Sequence, residues 1–573
     1  MIVYSDRRRS ESPRELLGRL LRGLASPAPD ASALLIEAGV LEAGIVDAVS
    51  PEVDGGSPLA GRLSDAMLDL AMAARDGEGR LAAARGRLAG LAEHLPPGRI
   101  EVSEPEGFAF YALYPETYAE AARRFVRAER PGSALVVGVR SIGTTLSAVV
   151  AAELLAQGVR ASRITVRPRG HPWDRELRLA PDLKEALAAA EHVLVVDEGP
   201  GISGTSFASV AEAASAAGVP DGRIHLFPSW DPDGSGLRSE RARAVWPRVR
   251  RWTGSFEETF LETGRLAAAW GGGTIRDLSG GLWREVAYPT QGQERWPAVQ
   301  PQHERRKYLL ERADGTRLLL RFVGLGERGP RMLARAERQA AGGLAPPVLG
   351  LRDGFLALEW LDGTAADADG AWRPGRTRGR PDADWMDAMG RHLAPIAAEP
   401  AEAVRFDDIL AMTRLNVAEG LGEAAAECLG WMERMRAAVE ARPALAVDGR
   451  MLPQEWLRTS RGPIKCDGLD HHDDHFWPGR QDIAWDIAGA MVEWGMDAAA
   501  RRHLLARYEH HAGADPGLRG VLPFHEAAYL AWRLGYTTLA ADTLGESDDG
   551  RRMARDRDAY AGLLGAVLER KGA

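Results

Sequence analysis

The run His192-Val-Leu-Val-Val-Asp-Glu-Gly-Pro-Gly-Ile-Ser-Gly-Thr-Ser-Phe207 constrains this chain more than any other stretch. Four apolar residues, Val193 to Val196, end in the adjacent acids Asp197 and Glu198, and a loop of Gly, Pro, Ser and Thr follows. An alanine-rich helical stretch, Ala208 to Ala217, comes directly after. That order predicts a buried parallel strand whose carboxyl end presents two carboxylates, with a phosphate-sized cradle of N–H groups at the next helix N-terminus. Adjacent carboxylates accept hydrogen bonds from a vicinal diol, while amides and hydroxyls hold a phosphate. The ligand implied is a sugar phosphate.

The flanking sequence predicts the sheet that such a strand needs. Strand-like Ala134 to Val139 precedes a Ser/Gly/Thr loop and the apolar helix Leu146 to Gln157, with Gly158 as its stop. Ile164 to Val166 is followed by a basic loop and the helix Leu183 to Ala190, and Ile224 to Phe227 comes after the acidic pair. Strands alternating with helices of this length predict an α/β fold with a doubly wound parallel sheet, ligands lying at the strands' carboxyl ends. Upstream, Pro13 to about Leu95 reads as helices, an accessory layer without visible chemistry.

At 573 residues the chain is too long for one core, and two or more domains are expected. A net charge of -9 argues against a generic nucleic-acid binder. Its two cysteines, Cys428 and Cys466, exclude a disulfide framework and suit a reducing cytoplasm. The start, Met1 to Ser12, is basic and runs into an amphipathic helix, and no stretch is long and apolar enough to span a bilayer; the expectation is a cytoplasmic protein with no membrane partner.

The acidic-pair run resembles the 5-phosphoribosyl 1-diphosphate (PRPP) motif of type I phosphoribosyltransferases. The resemblance implies that Asp197 and Glu198 meet the ribose hydroxyls, and that Gly199, Pro200, Gly201, Ile202, Ser203, Gly204, Thr205 and Ser206 hold the 5-phosphate. Pro200 and Gly201 depart from the family's pattern, as does Ser203, where Thr or Gly is common, which puts a standard nucleobase acceptor in doubt. Gly138 to Thr145 is similar to the family's diphosphate loop, giving Arg140 a catalytic charge and Ser141, Gly143 and Thr144 binding roles. Arg167, Arg169 and His171 lie on a Pro/Gly-punctuated loop suited to closing over a diphosphate, whereas Arg175 and Arg178 read as solvated. Mg²⁺ and arginines would stabilise the departing diphosphate, each charge-assisted contact contributing ~1.5–3 kcal/mol. The acceptor is a small molecule that the sequence does not encode legibly, and family members often pair as homodimers.

The later half, roughly Ile275 to Gly562, resembles the aminoglycoside/choline kinase-like superfamily. A hairpin around Asp314-Gly315 leads to Arg321 on the strand that carries the family's phosphate cation. Glu337 lies on the next helix, where a pairing glutamate is expected, and Leu356 to Gly363, with Glu359, looks like the adenine hinge. Gln481 to Gly489 resembles the helix that closes the catalytic core, and Asp467 falls where a metal-binding aspartate belongs. The catalytic loop departs: in register, Arg450 replaces the aspartate base and Glu455 the metal-binding asparagine. A lost base typically costs ~10²–10⁴-fold. Asp470 to His475 reads as a polar loop beside the cleft, in preference to a metal site.

The domains expected are a helical extension over 1–100, a phosphoribosyltransferase-like domain over 101–265, and kinase-like lobes over 270–365 and 380–573, separated by an exposed Pro/Gly/Arg-rich loop, Gly363 to Pro381. The function expected is PRPP-dependent transfer, with the kinase-like half regulating, holding the acceptor, or phosphorylating a metabolite with ATP. A binding-only regulator and a small-molecule kinase are the alternatives.

Overall fold

A computed structural model describes residues 1–4, 8–368, 374, 382–476 and 478–572. The chain divides into two compact units, one of Arg7–Gly272 with Gly324–Gly329, the other of Met1–Asp6, Gly273–Val323 and Pro330–Ala573.

The first unit opens with helices α1 (Pro13–Leu24), α2 (Ala31–Val49), α3 (Pro58–Asp76) and α4 (Leu81–Ala89). Side-chain oxygens of Ser12, Asp30 and Ser57 cap the first three by accepting from backbone N–H groups in the first turn, the groups that a helix start leaves unpaired. Their apolar faces form a core with Ala148 and Ala152 of a later helix, so this layer packs on the sheet domain within one unit. Short helix α5 (Glu106–Ala109) and helix α6 (Pro115–Glu129) follow.

Next come β1 (Ser133–Val139), α7 (Ile142–Ala156), β2 (Arg160–Val166), α8 (Pro181–Ala188), β3 (Val193–Val196), α9 (Thr205–Ala216), β4 (Ile224–Phe227) and β5 (Arg250–Arg251). The strands lie in the order β2-β1-β3-β4-β5, every neighbour parallel. Side chains alternate between faces of a strand, and β1 shows it: Leu135, Val137 and Val139 join α8 and α9 in one core, while Ala134 and Val136 join α6 and α7 in another. All four β3 side chains are fully buried, which is why that strand reads as an unbroken apolar run. In this order the chain departs in opposite directions from β1 and β3, opening a crevice at their carboxyl ends. Gly143 lets α7 close up against β3, since a Cβ there would stand 2.5 Å from the Val196 carbonyl oxygen.

The second unit begins with an antiparallel sheet of β6 (Thr274–Asp277), β7 (Lys307–Glu311), β8 (Arg317–Phe322), β9 (Val348–Arg352) and β10 (Phe355–Glu359), in the order β9-β10-β8-β7-β6. The β7–β8 turn closes as the Asp-Gly pair predicts: Gly315 takes φ +82° and Asp314 Oδ1 accepts from Thr316 N at 2.8 Å. Helix α10 (Arg328–Ala341) links β8 to β9.

A small sheet of β11 (Gly363–Ala365), β12 (Trp456–Thr459) and β13 (Gly462–Lys465) sits beside a helical lobe. That lobe includes α11 (Ala383–Ala397), α12 (Ala484–Glu493), α13 (Leu518–Leu544) and α14 (Asp548–Gly572), packed around Met389, Trp456, Trp485, Tyr529 and Trp532. The expected exposed loop from Gly363 is in part strand β11, and its residues 369–373 and 375–381 lie outside the described residues. Among the described residues no helix is long and apolar enough to cross a membrane.

Candidate functional site

In the first unit the crevice between β1 and β3 gathers the loops singled out in the sequence. Asp197 and Glu198 leave the end of β3 half-buried. Asp197 Oδ1 accepts from Glu198 N at 2.8 Å, and Tyr118 donates its hydroxyl to the Asp197 carbonyl at 2.7 Å. Glu198 Oε2 accepts from Gly107 N at 3.2 Å at the start of α5. Burial pushes Asp197 up to about 6, against the opposing pull of its neighbour's N–H and of Arg175 and Arg167. Burial, with Glu106 and Asp197 beside it, pushes Glu198 up to about 8.

The loop expected to hold a phosphate turns through Gly204 at φ +69° into the N-terminus of α9. Its carbonyls at Pro200 and Ile202 accept from Trp230 Nε1 (3.3 Å) and Arg238 N (2.9 Å), and the Ile202 side chain is 61% exposed. Gly199 packs near Phe207, Gly201 is exposed, and Ser203 Oγ accepts from Thr205 N at 3.4 Å. Thr205 Oγ1 donates to Pro172 O at 2.7 Å, and Ser206 Oγ accepts from Arg175 Nη1 at 3.0 Å. Arg175 is therefore drawn into the site, where the sequence placed it in a solvated loop. No local signal marks it; a long-range contact brings it to α9.

The diphosphate side differs from expectation. Arg140 is fully buried and spent on carboxylates: Nε donates to Asp47 at 2.9 Å and Nη2 to Asp54 at 2.5 Å. Arg167 bonds Asp47 and, at 2.5 Å, the Arg140 carbonyl. Arg169 donates to Asp54 and to the carbonyls of Ser50 and Pro51. The N-terminal layer, read as free of chemistry, thus supplies the anions that neutralise the basic loop. Asp54 is held there by the backbone, its N donating to Arg178 O and its carbonyl accepting from Ala180 N.

Gly143 and Thr144 are buried at the start of α7, and Thr144 Oγ1 has no hydrogen-bond partner among the described residues. Ser141 caps α7 without a side-chain capping bond, and His171 is exposed, its Nδ1 accepting from Trp173 N at 3.3 Å.

In the second unit a cavity of about 490 Å³ is lined by Arg305, Arg321, Glu359, Arg450, Glu455 and Asp467, among others. Arg321 extends from β8 to Asp467 (2.8 Å) and Asp470 (2.6 Å). Burial pushes Asp467 up, but Arg321, His471 and Lys307 outweigh it and hold the carboxyl well below its usual range. Glu359 faces the cavity rim and accepts from Arg461 at 2.6 Å.

Glu337 does not join Arg321. It is exposed on α10, and the residue turned inward two positions earlier is Arg335, bonded to Glu399 (2.9 Å) and the Ala446 carbonyl (2.7 Å). Two residues turn a helix by about 200°, so both cannot face the cleft.

The altered loop is organised around Asp448, which is fully buried. His392 Nε2 lies 2.9 Å from Asp448 Oδ2, Lys465 Nζ lies 3.1 Å from the same oxygen, and His471 Nδ1 lies 3.3 Å from Oδ1. Behind it, Asp486 of α12 accepts from Asp448 N (2.8 Å) and Gly449 N (2.7 Å). Burial and Asp448 together raise Asp486, while Lys465 and the two histidines keep Asp448 low. Asp467 and Asp448 push His471 up to about 9 against its burial and Arg450. Burial pushes the Cys466 thiol up to about 12, an inert state. Sequence reading missed Lys465 as a site residue; its signal was the two-residue spacing from Asp467.

Asp470 and Asp474 pair with Arg321 and Arg305, so the acidic, His-rich stretch is a neutralised polar loop.

No family model matches the chain, and no curated protein matches it. Among solved structures it is similar to a choline/ethanolamine kinase family protein from Mesorhizobium loti, at 19% identity over 50% of this chain and 93% of that one, TM-score 0.35. It is also similar to a macrolide 2'-phosphotransferase from Brachybacterium faecium (18%, 52% and 96%, TM-score 0.32) and a choline kinase from Streptococcus pneumoniae (12%, 53% and 98%, TM-score 0.32).

Proposed function

We propose that the first unit is a PRPP-dependent phosphoribosyltransferase, passing phosphoribose to a small acceptor with release of diphosphate, and that the kinase-like unit binds a nucleotide. One observation carries the transferase reading. At a single switch point the sheet brings together the Asp197–Glu198 pair and the hydroxyl-bearing turn that opens α9, with Arg175 bonded to Ser206 and near enough to Asp197 to lower its pKa.

Breaking the anomeric C–O bond sends its electron pair to diphosphate and leaves positive charge on the pentose. Asp197 and Glu198 are placed to anchor the diol through that change. Neither carboxylate has a salt bridge among the described residues, so this oxygen-only pair fits Mg²⁺, which on binding would displace the proton that burial favours on each. Asp197 and Glu198 would hold the ion, which when bound supplies charge neutralisation for the leaving group. Arg140, Arg167 and Arg169 meet a diphosphate only by exchanging Asp47 and Asp54 for it.

The experiment is isotope-labelled PRPP with purified protein and a panel of small acceptors. Acceptor-dependent diphosphate release that vanishes in Asp197→Asn/Glu198→Gln supports the reading. PRPP binding without turnover on any acceptor would make the unit a sensor.

The cleft of about 490 Å³ favours a second reading for the other unit, a small-molecule kinase using ATP. In the register of the resemblance Arg450, which lines the cavity, takes the place of the base, and a guanidinium cannot accept a proton. Nucleotide binding without phosphoryl transfer is what that cleft supports. Phosphorylation that survives Asp197→Asn but is lost in Asp467→Asn would instead make this unit an active kinase.

A further inference from the structure

The kinase-like fold implies a divalent ion bound near Asp467 and the residue at position 455. The donor set does not fit one. Among the described residues, one cluster gathers metal-ligating atoms closely: Asp448, Glu455 and His471, all within 4.8 Å of one another. Lys465 already occupies the cationic position of that cluster. Its Nζ lies 2.8 Å from Glu455 Oε2 and 3.1 Å from Asp448 Oδ2, and it also donates to the Asp467 carbonyl.

Three further side chains already engage these acids. Arg321 takes the Asp467 carboxylate, His392 takes Asp448, and His471 bridges the two acids at 3.3 Å and 3.5 Å. A divalent ion entering here would meet an ammonium at hydrogen-bond distance from the same oxygens, in a buried setting where like charges repel strongly.

The local sequence dictates this placement. Strand β13 ends at Lys465, whose Nζ reaches the Asp448 and Glu455 carboxylates, and the chain then bends so that the Asp467 carboxylate meets Arg321. Register pairs Lys465 with Trp456, beside Glu455, and Cys466 N donates to the Glu455 carbonyl at 2.8 Å. The lysine is 3% exposed, with the Asp448 and Glu455 carboxylates against its Nζ.

We propose that Lys465 is a built-in replacement for the divalent ion, so that this cleft takes its nucleotide metal-free. The ligand class is then a free nucleoside polyphosphate facing Arg321 and Arg450, guanidinium groups that line the cavity, while Lys465 stays with the acids behind it. This rests on the nucleotide reading of the cleft, but exclusion of the ion is a property of the protein without nucleotide and is tested separately.

The first arm measures Mn²⁺ binding by electron paramagnetic resonance on the full chain carrying Asp197→Asn/Glu198→Gln, which removes the other oxygen pair. With Lys465 intact no Mn²⁺ site is expected at millimolar ion, whereas Lys465→Met gains a site at least about tenfold tighter. Lys465→Arg, which keeps the charge, stays free of Mn²⁺ and guards against misfolding of the methionine variant. Mn²⁺ bound with Lys465 intact and released by Asp467→Asn overturns the proposal, and so does binding to Lys465→Arg.

The second arm titrates a fluorescent ATP analogue in EDTA and in Mg²⁺. Equal affinity in the two supports the proposal, and a loss of about tenfold or more in EDTA overturns it. Absence of binding in both buffers sinks the nucleotide reading, while the manganese arm still decides on Lys465.

Discussion

Arg140 donates to Asp54 at 2.5 Å, and both side chains are at most 1% exposed. A guanidinium that the sequence offered to a substrate is, in the fold, half of a buried ion pair. Removing one partner of such a pair leaves the other charge stranded. Asp54→Ala should therefore lower stability by roughly 3–5 kcal/mol, read as a fall in the denaturant midpoint. A shift below ~1 kcal/mol would mean that water reaches Arg140.

Asp47 is about a third exposed and shared by Arg140 and Arg167. Asp47→Asn keeps the shape and frees positive charge toward the crevice. Inorganic diphosphate should bind this variant several-fold tighter in calorimetry. Unchanged or weaker binding would place the leaving-group site elsewhere.

Arg175 connects the basic loop to the start of α9. Its replacement by alanine removes one charge-assisted contact, and PRPP affinity should fall by about tenfold or more, ~1.5–3 kcal/mol. Arg178, 54% exposed and paired among the described residues only with surface glutamates, serves as the control and should leave affinity within about twofold.

The acid pair makes stability depend on pH in a stated direction. Glu198 rises from 4.5 to about 8 and Asp197 from 3.8 to about 6, so the folded chain holds protons that the unfolded chain releases. The acid pair's contribution to stability should decline as pH rises from about 4 to about 8 and be gone above that, because the folded state binds more protons throughout the window. Glu198→Gln should flatten the upper part of this decline in urea midpoints collected between pH 5 and 9. An identical slope in the variant would assign it to other groups. His471, pushed up from 6.5 to about 9, adds to the loss: its contribution is whole below 6.5 and disappears through 9.

Glu337 should be dispensable. Exposed on α10, it is expected to change stability by less than ~0.5 kcal/mol on replacement by alanine. Arg335→Ala strands Glu399 and the Ala446 carbonyl, and should cost ~2–3 kcal/mol when the two variants are compared by urea denaturation.

What the sequence determined by itself is local. The apolar run Val193–Val196, the acids after it, the Asp314-Gly315 turn and the strand and helix alternation are each specified by residues within a few positions of one another, and each appears where periodicity and turn chemistry put it. Tertiary structure decided which charges are free. Asp47 and Asp54 lie about ninety residues before Arg140, and Lys465 meets Asp448 across seventeen, distances at which no pattern in the chain announces a partner. A buried guanidinium or ammonium must find a carboxylate to offset its lost hydration, and only the folded packing determines whether that carboxylate belongs to a ligand or to the protein.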